Sequence, residues 1–354
     1  MFILTFDYEL FGSGNGCVFK HIIHPTNSIL ATLKKLEIKA TFFVEQLEVD
    51  ALVKLKQTSA ANSDDYKAAI ALEQQLCDII SSGHDIQLHL HPQWYQAIKV
   101  NNNWQLNFDW WRFSALPFRT RPDGTPGKFD LIKAGKASLE SRFRKFKPDY
   151  VCHSFRAGGY NIGDDAETIK ALLENDILLD SSVCPGFYVN SELSQFDFTL
   201  AEKKLPFWRS DESLLNPSID SGIAYSRQCV ELPLVSIKSS NIEKLSLARV
   251  YTLIKNKRFK SVSYAGGKST DLPKEIDNFT NSNFDVCLSS TKQIEKFYDE
   301  INQITKNQQS LYPITLIGHP KDYSFFSPMK KIITDLSKKG TFITIDEFVK
   351  EINK

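Results

Sequence analysis

Short runs of β-branched and aromatic residues alternate with longer segments of helical apolar spacing along most of this chain. The first run, 2–6, precedes the segment 27–36, whose apolar residues recur at helical intervals. Further strand-like runs lie at 39–44, 86–90, 154–156, 177–180, 230–235, 314–317 and 341–345. Further helical patterns lie at 63–81, 133–146, 165–173, 246–254, 292–304 and 329–336, with a last helix at the end of the chain. This alternation predicts an α/β protein with a parallel sheet, most simply a barrel of βα units.

Charged and imidazole side chains fall at the ends of four of the strand-like runs. These residues are Asp7, His89, Arg156 and His319. Because the working residues of βα barrels lie at the carboxyl ends of the strands, we expect the four side chains to meet in one active site.

Two of the seven histidines, His89 and His91, lie two residues apart in a segment that alternates polar and apolar side chains. On a β-strand, residues i and i+2 point to the same face, so both imidazoles would project together, and Pro92 would end the strand. Neutral imidazole is the commonest nitrogen ligand of metals, so the pair predicts part of a metal site. The alternative is that both histidines are ordinary half-exposed residues.

The composition excludes some classes of function. Net charge is +1, with 43 Lys and Arg against 42 Asp and Glu, which gives no support to nucleic acid or an anionic membrane as the main partner. The six cysteines are scattered without a Cys-x-x-Cys pair, which indicates reduced thiols rather than a disulfide framework. The start of the chain lacks the pattern of a secretory signal, and no apolar stretch has the length of a membrane span. We therefore expect a cytoplasmic protein.

The chain is predicted to form a single catalytic domain, 1–354, with two insertions. The first, about 94–130, is rich in aromatic residues and ends in a Pro- and Gly-rich turn. The second, about 261–283, is polar and rich in Gly, Ser and Asn. The aromatic residues of the first insertion could stack on sugar rings, but packing against the sheet explains them at least as well.

Seven short motifs occur in order between the first strand and about residue 323. They are 4–9 (LTFDYE), 39–43 (KATFF), 83–91 (GHDIQLHLH), 154–160 (SFRAGGY), 180–182 (DSS), 231–233 (ELP) and 317–320 (IGHP). In this order they resemble the motifs of the polysaccharide deacetylases of carbohydrate esterase family 4, which include chitooligosaccharide deacetylases. The resemblance covers most of the chain and implies a distorted, seven-stranded (β/α) barrel. It also implies a hydrolase that removes acetyl groups from N-acetylated sugars with the help of a divalent metal.

The resemblance suggests roles for residues at the strand ends. Asp7 matches the aspartate that serves as general base, and Arg156 matches the arginine that pairs with it. His319 matches the histidine that serves as general acid, and either Asp322 or Asp180 could tune its protonation. The backbone amide of Tyr160, which follows two glycines, is a candidate donor to the oxyanion.

One departure from the family pattern concerns the first motif. The family has a second aspartate where this chain has Tyr8. Glu9 shares a face with Asp7 on an extended backbone, and we expect it to be the metal ligand instead. The roles of Asp7 and Glu9 could be exchanged, or Glu9 could cap the following turn.

A second departure concerns the histidines. His89 matches the family's first metal histidine, but the second usually follows four residues later, where this chain has Gln93. His91 is the expected substitute because it shares the face of His89, although loss of the metal is the alternative. Together with Glu9, the two histidines would hold a divalent metal, with Zn²⁺ the first choice and Co²⁺, Mn²⁺ or Ni²⁺ as others.

The sequence thus predicts an N-deacetylase that acts on a sugar-containing small molecule or a lipid-linked sugar. Because we expect a cytoplasmic protein, an intermediate of surface polysaccharide biosynthesis fits better than a finished cell-wall polymer. Two alternatives remain open. One is a metal-independent or other C–N amidase on the same fold, and the other is a degenerate barrel that only binds saccharide.

Overall fold

The structure is a computed structural model that describes residues 1–218, 228–260, 279–307 and 312–354. Its strands, in chain order, are β1 (Phe2–Tyr8), β2 (Thr41–Glu45), β3 (Asp85–Leu90), β4 (Ile98–Val100), β5 (Asn103–Gln105), β6 (Ser154–Ala157), β7 (Leu179–Asp180), β8 (Tyr188–Asn190), β9 (Gln195–Asp197), β10 (Trp208–Ser210), β11 (Cys229–Glu231), β12 (Ser236–Ser240), β13 (Phe279–Asn283), β14 (Ile314–Gly318) and β15 (Phe342–Ile343). The α-helices are α1 (His24–Lys35), α2 (Gln46–Thr58), α3 (Asp64–Ser81), α4 (Lys128–Phe143), α5 (Ala166–Leu173), α6 (Leu247–Lys260), α7 (Thr291–Asn307), α8 (Met329–Ser337) and α9 (Ile345–Ile352). Short 3₁₀ turns that matter for the site lie at Pro92–Trp94, Gly158–Tyr160 and Pro320–Asp322.

The largest sheet has the strand order β10-β11-β7-β6-β3-β2-β1-β14, and β15 also pairs with β1. All of these pairings are parallel except that between β10 and β11. The sheet curls, and an isolated parallel bridge joins Leu234, just beyond β11, to Thr315 of β14. Pro233, which has no N–H to donate, lies between β11 and this bridge, so a continuous ladder does not form there. The α/β class with a parallel sheet is as predicted, whereas a closed seven-stranded barrel is not confirmed.

The core lies on both faces of the curled sheet. Every residue of β1, β2, β3 and β14 is buried, as expected for parallel strands that are covered on both sides. At the amino-terminal end of the strands, an apolar cluster that includes Ile3, Phe43 and Val230 packs against α9. At the carboxyl end, the enclosed side chains are polar, and they form the candidate site described below.

Helix α2 was missed by the sequence pattern. Its buried face mixes polar and apolar side chains, which include Gln46, Glu48, Val49 and Leu52, so apolar spacing is weak. The helix begins because the Glu45 side chain, at the end of β2, accepts a hydrogen bond from the Glu48 backbone N–H.

The first predicted insertion is part of the folded structure. It contains the β4-β5 hairpin, and Trp94 and Phe113 are buried.

Most of the second predicted insertion, 261–278, lies outside the described residues. The six cysteines form no disulfide, and four of them are buried. Within the described ranges, no helix is both long and apolar enough to cross a membrane.

A reciprocal capping box holds the first turn of helix α9, and its contribution to the stability of the protein can be measured. The Thr344 hydroxyl accepts from the Glu347 backbone N–H at 3.2 Å, and the Glu347 carboxylate accepts from the Thr344 N–H at 2.7 Å. We expect Thr344→Ala to lower the free energy of unfolding by about 1 kcal/mol, as loss of an N-cap does. Urea denaturation would measure the change. Thr341→Ala, at an exposed position nearby, is the control, and an equal loss there would contradict the cap as the cause.

Candidate active site

The carboxyl ends of β1, β3, β6 and β14 bring together the residues predicted from the sequence. Parallel pairing sets His89 opposite Arg156, and Phe6 opposite Gly318. Because β1 lies between β3 and β14 in the sheet order, Asp7 is within reach of side chains from both sides. The predicted convergence of these strand ends is therefore observed.

Asp7 forms a buried ion pair with Arg156. The Arg156 Nη1 donates to Asp7 Oδ1 at 2.6 Å and to Thr5 Oγ1 at 3.0 Å, and its Nε donates to the Ser181 carbonyl at 2.7 Å. The guanidinium carbon lies 4.0 Å from the centroid of the Phe43 ring. Burial would raise the pKa of Asp7, but the charges of Arg156 and of nearby histidines outweigh it and lower the pKa. Asp7 is thus an ionised carboxylate held in one orientation.

Glu9, His89 and His91 place three donor atoms within 4.8 Å of one another. Glu9 Oε2 lies 2.6 Å from His91 Nε2 and 3.3 Å from His89 Nε2. In the part of the chain that the structure describes, both Nε2 atoms are buried and make no well-aligned hydrogen bond. Both nitrogens face the same carboxylate oxygen, and one carboxylate with two imidazoles is a donor set that fits a divalent metal.

The protonation of these groups also suits a metal. Burial lowers the pKa of His91 despite the opposing charge of Glu9, which favours the neutral imidazole that a metal requires. Burial would raise the pKa of Glu9, but Lys321 and the histidines hold it well below its usual range. Glu9 is therefore ionised.

Hydrogen bonds and close packing orient both rings. The His89 Nδ1 lies 2.9 Å from the Arg156 carbonyl, to which it can donate, and this leaves the Nε2 lone pair facing Glu9. The His91 backbone N–H donates to Glu45 Oε1 at 2.8 Å. A Cβ added at Gly158 would lie 2.5 Å from the His91 ring, so a glycine is needed there for the ring to fit.

Gln93, at the position of the family's second metal histidine, contacts His91. The Gln93 Nε2 lies 3.2 Å from His91 Nδ1 and 3.3 Å from the Gly12 carbonyl, and the Gln93 Oε1 is buried without a partner among the described residues. A half-turn of the carboxamide would place Oε1 on the Nδ1–H of His91 and leave the His91 Nε2 lone pair for a metal. The side chain of Gln93 can thus select the tautomer of His91.

Lys321 supplies a buried positive charge beside the three donors. Its Nζ lies 2.6 Å from Glu9 Oε1 and 2.8 Å from the Leu10 carbonyl. Burial would lower the pKa of Lys321, but Glu9 raises it, so the amine is charged. Since Lys321 binds Oε1, only Oε2 of Glu9 remains for a metal.

His319 lies on the other side of Asp7. Its Nε2 is 3.6 Å from Asp7 Oδ2, and its Nδ1 is 2.6 Å from Asp285 Oδ2. Burial opposes a charged imidazole, but the hydrogen bond and charge of Asp285, together with Asp7, raise the pKa of His319 to about 9. At neutral pH the imidazole is therefore protonated and stands next to an ionised carboxylate.

The two tyrosines near the site have different environments. The Tyr8 hydroxyl donates to Gln75 Oε1 at 2.8 Å, on the helix-covered face of β1, so it does not replace the family's second aspartate as a ligand. Tyr160 ends the Gly158–Tyr160 turn with a φ of 62°, and its hydroxyl accepts from Asn283 at 2.8 Å. The oxyanion role of the Tyr160 amide stays a prediction.

Sequence analysis missed Lys321, Asp285 and the contact of Gln93. For His319 it left Asp322 and Asp180 open, but the hydrogen-bond partner is Asp285. Asp285 lies two residues beyond the polar stretch taken as an insertion, where no pattern marked it. Lys321 could have been found from its position, because it lies two residues after His319 at the same strand end.

The sequence matches no protein-family model and no curated protein. Solved structures with a similar fold include a candidate polysaccharide deacetylase from Mycobacterium smegmatis, with 12% identity, a TM-score of 0.45 and coverage of 99% of this chain and 90% of that chain. A cobalt-bound family 4 acetyl xylan esterase from Clostridium thermocellum has 12% identity, a TM-score of 0.36 and coverage of 98% and 88%. A structure titled Puue allantoinase has 9% identity, a TM-score of 0.45 and coverage of 96% and 85%. No residue role in this chain rests on these similarities.

The pairing of His319 with Asp285 predicts how the imidazole titrates. In protein stripped of metal, NMR titration should give a pKa of about 9 for His319. Asp285→Asn removes the charged hydrogen-bond acceptor, so the pKa should fall by one unit or more toward the ordinary value, because each unit corresponds to about 1.4 kcal/mol of interaction. Asp322→Asn is the matched comparison: its carboxylate lies within 4.8 Å of an imidazole nitrogen, so its loss should also lower the pKa, but by less than the loss of Asp285. A larger fall in Asp322→Asn than in Asp285→Asn would contradict the assignment.

Proposed function

We propose that this protein is a metal-dependent hydrolase that removes an N-acetyl or related acyl group from a sugar-containing substrate. One observation carries the proposal: a cluster of three donor atoms that could hold a cation stands beside a carboxylate that Arg156 keeps ionised and an imidazole that Asp285 keeps protonated. Amide hydrolysis needs an activated water, a polarised carbonyl and a proton for the departing amine. These groups can supply all three.

The metal site consists of Glu9, His89 and His91 in this proposal. A divalent metal bound there would activate water and polarise the carbonyl as a Lewis acid. Glu9 suits the role of ligand because its Oε2 faces both imidazoles, whereas Asp7 is engaged by Arg156. Zn²⁺ is the preferred candidate because it takes both nitrogen and carboxylate ligands.

Proton transfers would use Asp7 and His319. Arg156 binds Oδ1 of Asp7, which leaves Oδ2 to accept a proton from water as general base. His319 would donate a proton from Nε2 to the nitrogen of the departing amine, and Asp285 on Nδ1 would stabilise the ring as it gains the proton again. The Tyr160 amide is the proposed donor to the oxyanion.

The motif resemblance suggests a sugar-containing substrate, and the expected cytoplasmic location suggests which kind. We infer an intermediate of surface polysaccharide biosynthesis, either a nucleotide sugar or a lipid-linked sugar. The two rivals are a metal-independent or other C–N amidase and a non-catalytic saccharide-binding protein. A metal-independent amidase and a saccharide-binding protein have no need of buried imidazole nitrogens that converge on Glu9 beside Asp7 and His319, whereas another metal-dependent C–N amidase would differ only in its substrate.

The test is acetate release from a panel of N-acetylated nucleotide sugars and lipid-linked sugars. Protein purified without chelator should carry about one divalent ion per chain, as a three-ligand catalytic site does, and chelator should abolish turnover until Zn²⁺ is restored. Asp7→Asn and His319→Gln should each lower kcat by about 10²–10⁴-fold while the ion is retained. His91→Ala should lose the ion, and His24→Ala, at an exposed position, should keep it.

Other outcomes would favour the rivals. Turnover that persists without metal and is indifferent to added Zn²⁺ would favour the metal-independent amidase. If no substrate of the panel is turned over and Asp7→Asn binds glycan as well as the wild type, the protein is a saccharide-binding module. Loss of the ion in His24→Ala as well as His91→Ala would show that His91 is not a specific ligand.

Lys321 should weaken the affinity for metal. Its charge lies against the ligand Glu9 and would repel a dication, and it also occupies the second carboxylate oxygen. Lys321→Met should therefore raise the affinity for Zn²⁺ by about tenfold or more, the change that 1.4 kcal/mol produces. Competition with a chromophoric chelator would measure it. Lys330→Met, at an exposed position of α8, is the control; a lower affinity in Lys321→Met would instead show that Lys321 is needed to orient Glu9.

A further inference from the structure

Helix α6 buries its polar side and exposes its apolar side. The residues that face the protein are Ala248, Thr252 and Asn256, four apart and all nearly fully buried. About 180° around the helix, by the rotation of about 100° per residue, lie exposed apolar side chains. These are Leu247, Val250, Tyr251, Leu253 and Ile254. This arrangement is the reverse of a helix that packs on a core, and across the described ranges the apolar side of α6 is left exposed.

The apolar side of α6 continues into neighbouring loops. Phe326 lies beside Tyr251, with ring centroids 5.5 Å apart, and Phe325, which is 97% exposed, lies next to Phe326. Ile242 and Leu245 are exposed in the turn before the helix. We call the whole set the α6 surface; it comprises Ile242, Leu245, Leu247, Val250, Tyr251, Leu253, Ile254, Phe325 and Phe326.

The charge around the α6 surface is positive. Residues 242–257, which span the helical part of this surface, contain Lys244, Arg249, Lys255 and Lys257 against one acid, Glu243, although the whole chain carries only +1. That acid is paired with Lys296 at 2.8 Å. Burial lowers the pKa of Lys255 and the charge of Lys20 lowers it further, while Arg249 adds to the effect of burial on Lys244. The cations therefore crowd one another at this surface.

The α6 surface is also joined directly to the candidate active site. The buried side of α6 binds the Pro320–Asp322 turn, since Asn256 donates to the Lys321 carbonyl and Thr252 donates to the Asp322 carbonyl, each at 3.3 Å. Lys321 in turn binds Glu9. A chain of hydrogen bonds through Asn256 and Lys321 thus links the buried side of α6 to Glu9 of the three-donor cluster.

We propose that the α6 surface docks on the surface of an anionic lipid bilayer. An interfacial helix presents exposed aliphatic and aromatic side chains flanked by Lys and Arg. The apolar side chains enter the headgroup boundary, and the Lys and Arg side chains bind anionic headgroups. A second copy of this chain would bring the same cations together and is disfavoured by charge. Resting on the proposed function, this placement favours a lipid-linked sugar over a nucleotide sugar as substrate.

Flotation of the full chain with vesicles tests the docking without any enzyme assay. Vesicles of phosphatidylcholine alone are compared with vesicles that contain about one third phosphatidylglycerol, at low and high salt. The protein should bind the anionic vesicles, and high salt should release it. The double variant Leu247→Asp with Ile254→Asp should bind about tenfold more weakly or worse, since it places acids in the apolar contact. Leu200→Asp, at a residue that is 80% exposed elsewhere, should bind like the wild type.

Four outcomes would overturn the proposal. These are absence of binding to either vesicle, equal binding to both vesicles, an equal loss of binding in Leu200→Asp, and a dimer that dissociates only in the double variant without vesicle binding. The last would assign the α6 surface to subunit contact. Circular dichroism and acetate release from a water-soluble substrate show whether the double variant is folded and active. Failure of docking with turnover intact would then leave the proposed hydrolase standing.

Discussion

The arrangement of the site depends on the buried guanidinium of Arg156. This one side chain binds Thr5 and Asp7 of β1 and Ser181 beyond β7, and it stacks on Phe43 of β2. A buried cation requires such partners, because leaving it without them costs several kcal/mol. Strands β1 and β2 and the segment after β7 are thereby held at a fixed distance from β6, which carries Arg156. The backbone carbonyl of the same residue binds His89, so the Asp7 carboxylate and the three-donor cluster share one support.

Charge in the site is arranged in pairs of opposite sign. Asp7 is matched by Arg156, Glu9 by Lys321 and Asp285 by His319. Burial disfavours the charged forms of Asp7, Glu9, Lys321 and His319, but the opposite charges beside them outweigh it and shift each pKa toward the charged form. Burial lowers the pKa of His91, so this imidazole adds a nitrogen donor without adding charge. The interior can hold these ionisable groups only because nearly every one is hydrogen-bonded to a neighbour.

The sequence alone predicts those features of the fold and site that depend on local patterns of residues. Strand ends could be located from β-branched runs, and the placement of Asp7, His89, Arg156 and His319 followed from the rule that parallel strands meet at their carboxyl ends. The alternation of a strand also predicted that His89 and His91 share a face, which the structure shows, with their rings 5.0 Å apart. The roles of these residues remain to be tested.

Other features depend on contacts that no local pattern records. The contact of Asp285 with His319 joins residues on separate segments, and the isolated bridge of Leu234 with Thr315 joins two ends of the sheet that are far apart in sequence. Helix α6 is the clearest case: apolar spacing predicted a helix at 246–254, and such spacing ordinarily marks the core side. The side that packs inward is instead formed by Ala248, Thr252 and Asn256, because short side chains let the helix approach the Pro320–Asp322 turn and bind its carbonyls.

The Pro320–Asp322 turn has a mechanical consequence. It is bound from outside by α6 and from inside by Glu9 through Lys321, and it follows His319 directly. His319 and Lys321 therefore lie on one short segment that is held from both sides. Any group that contacts the exposed side of α6 is connected, through Asn256 and this turn, to the side chains that face Asp7 and Glu9.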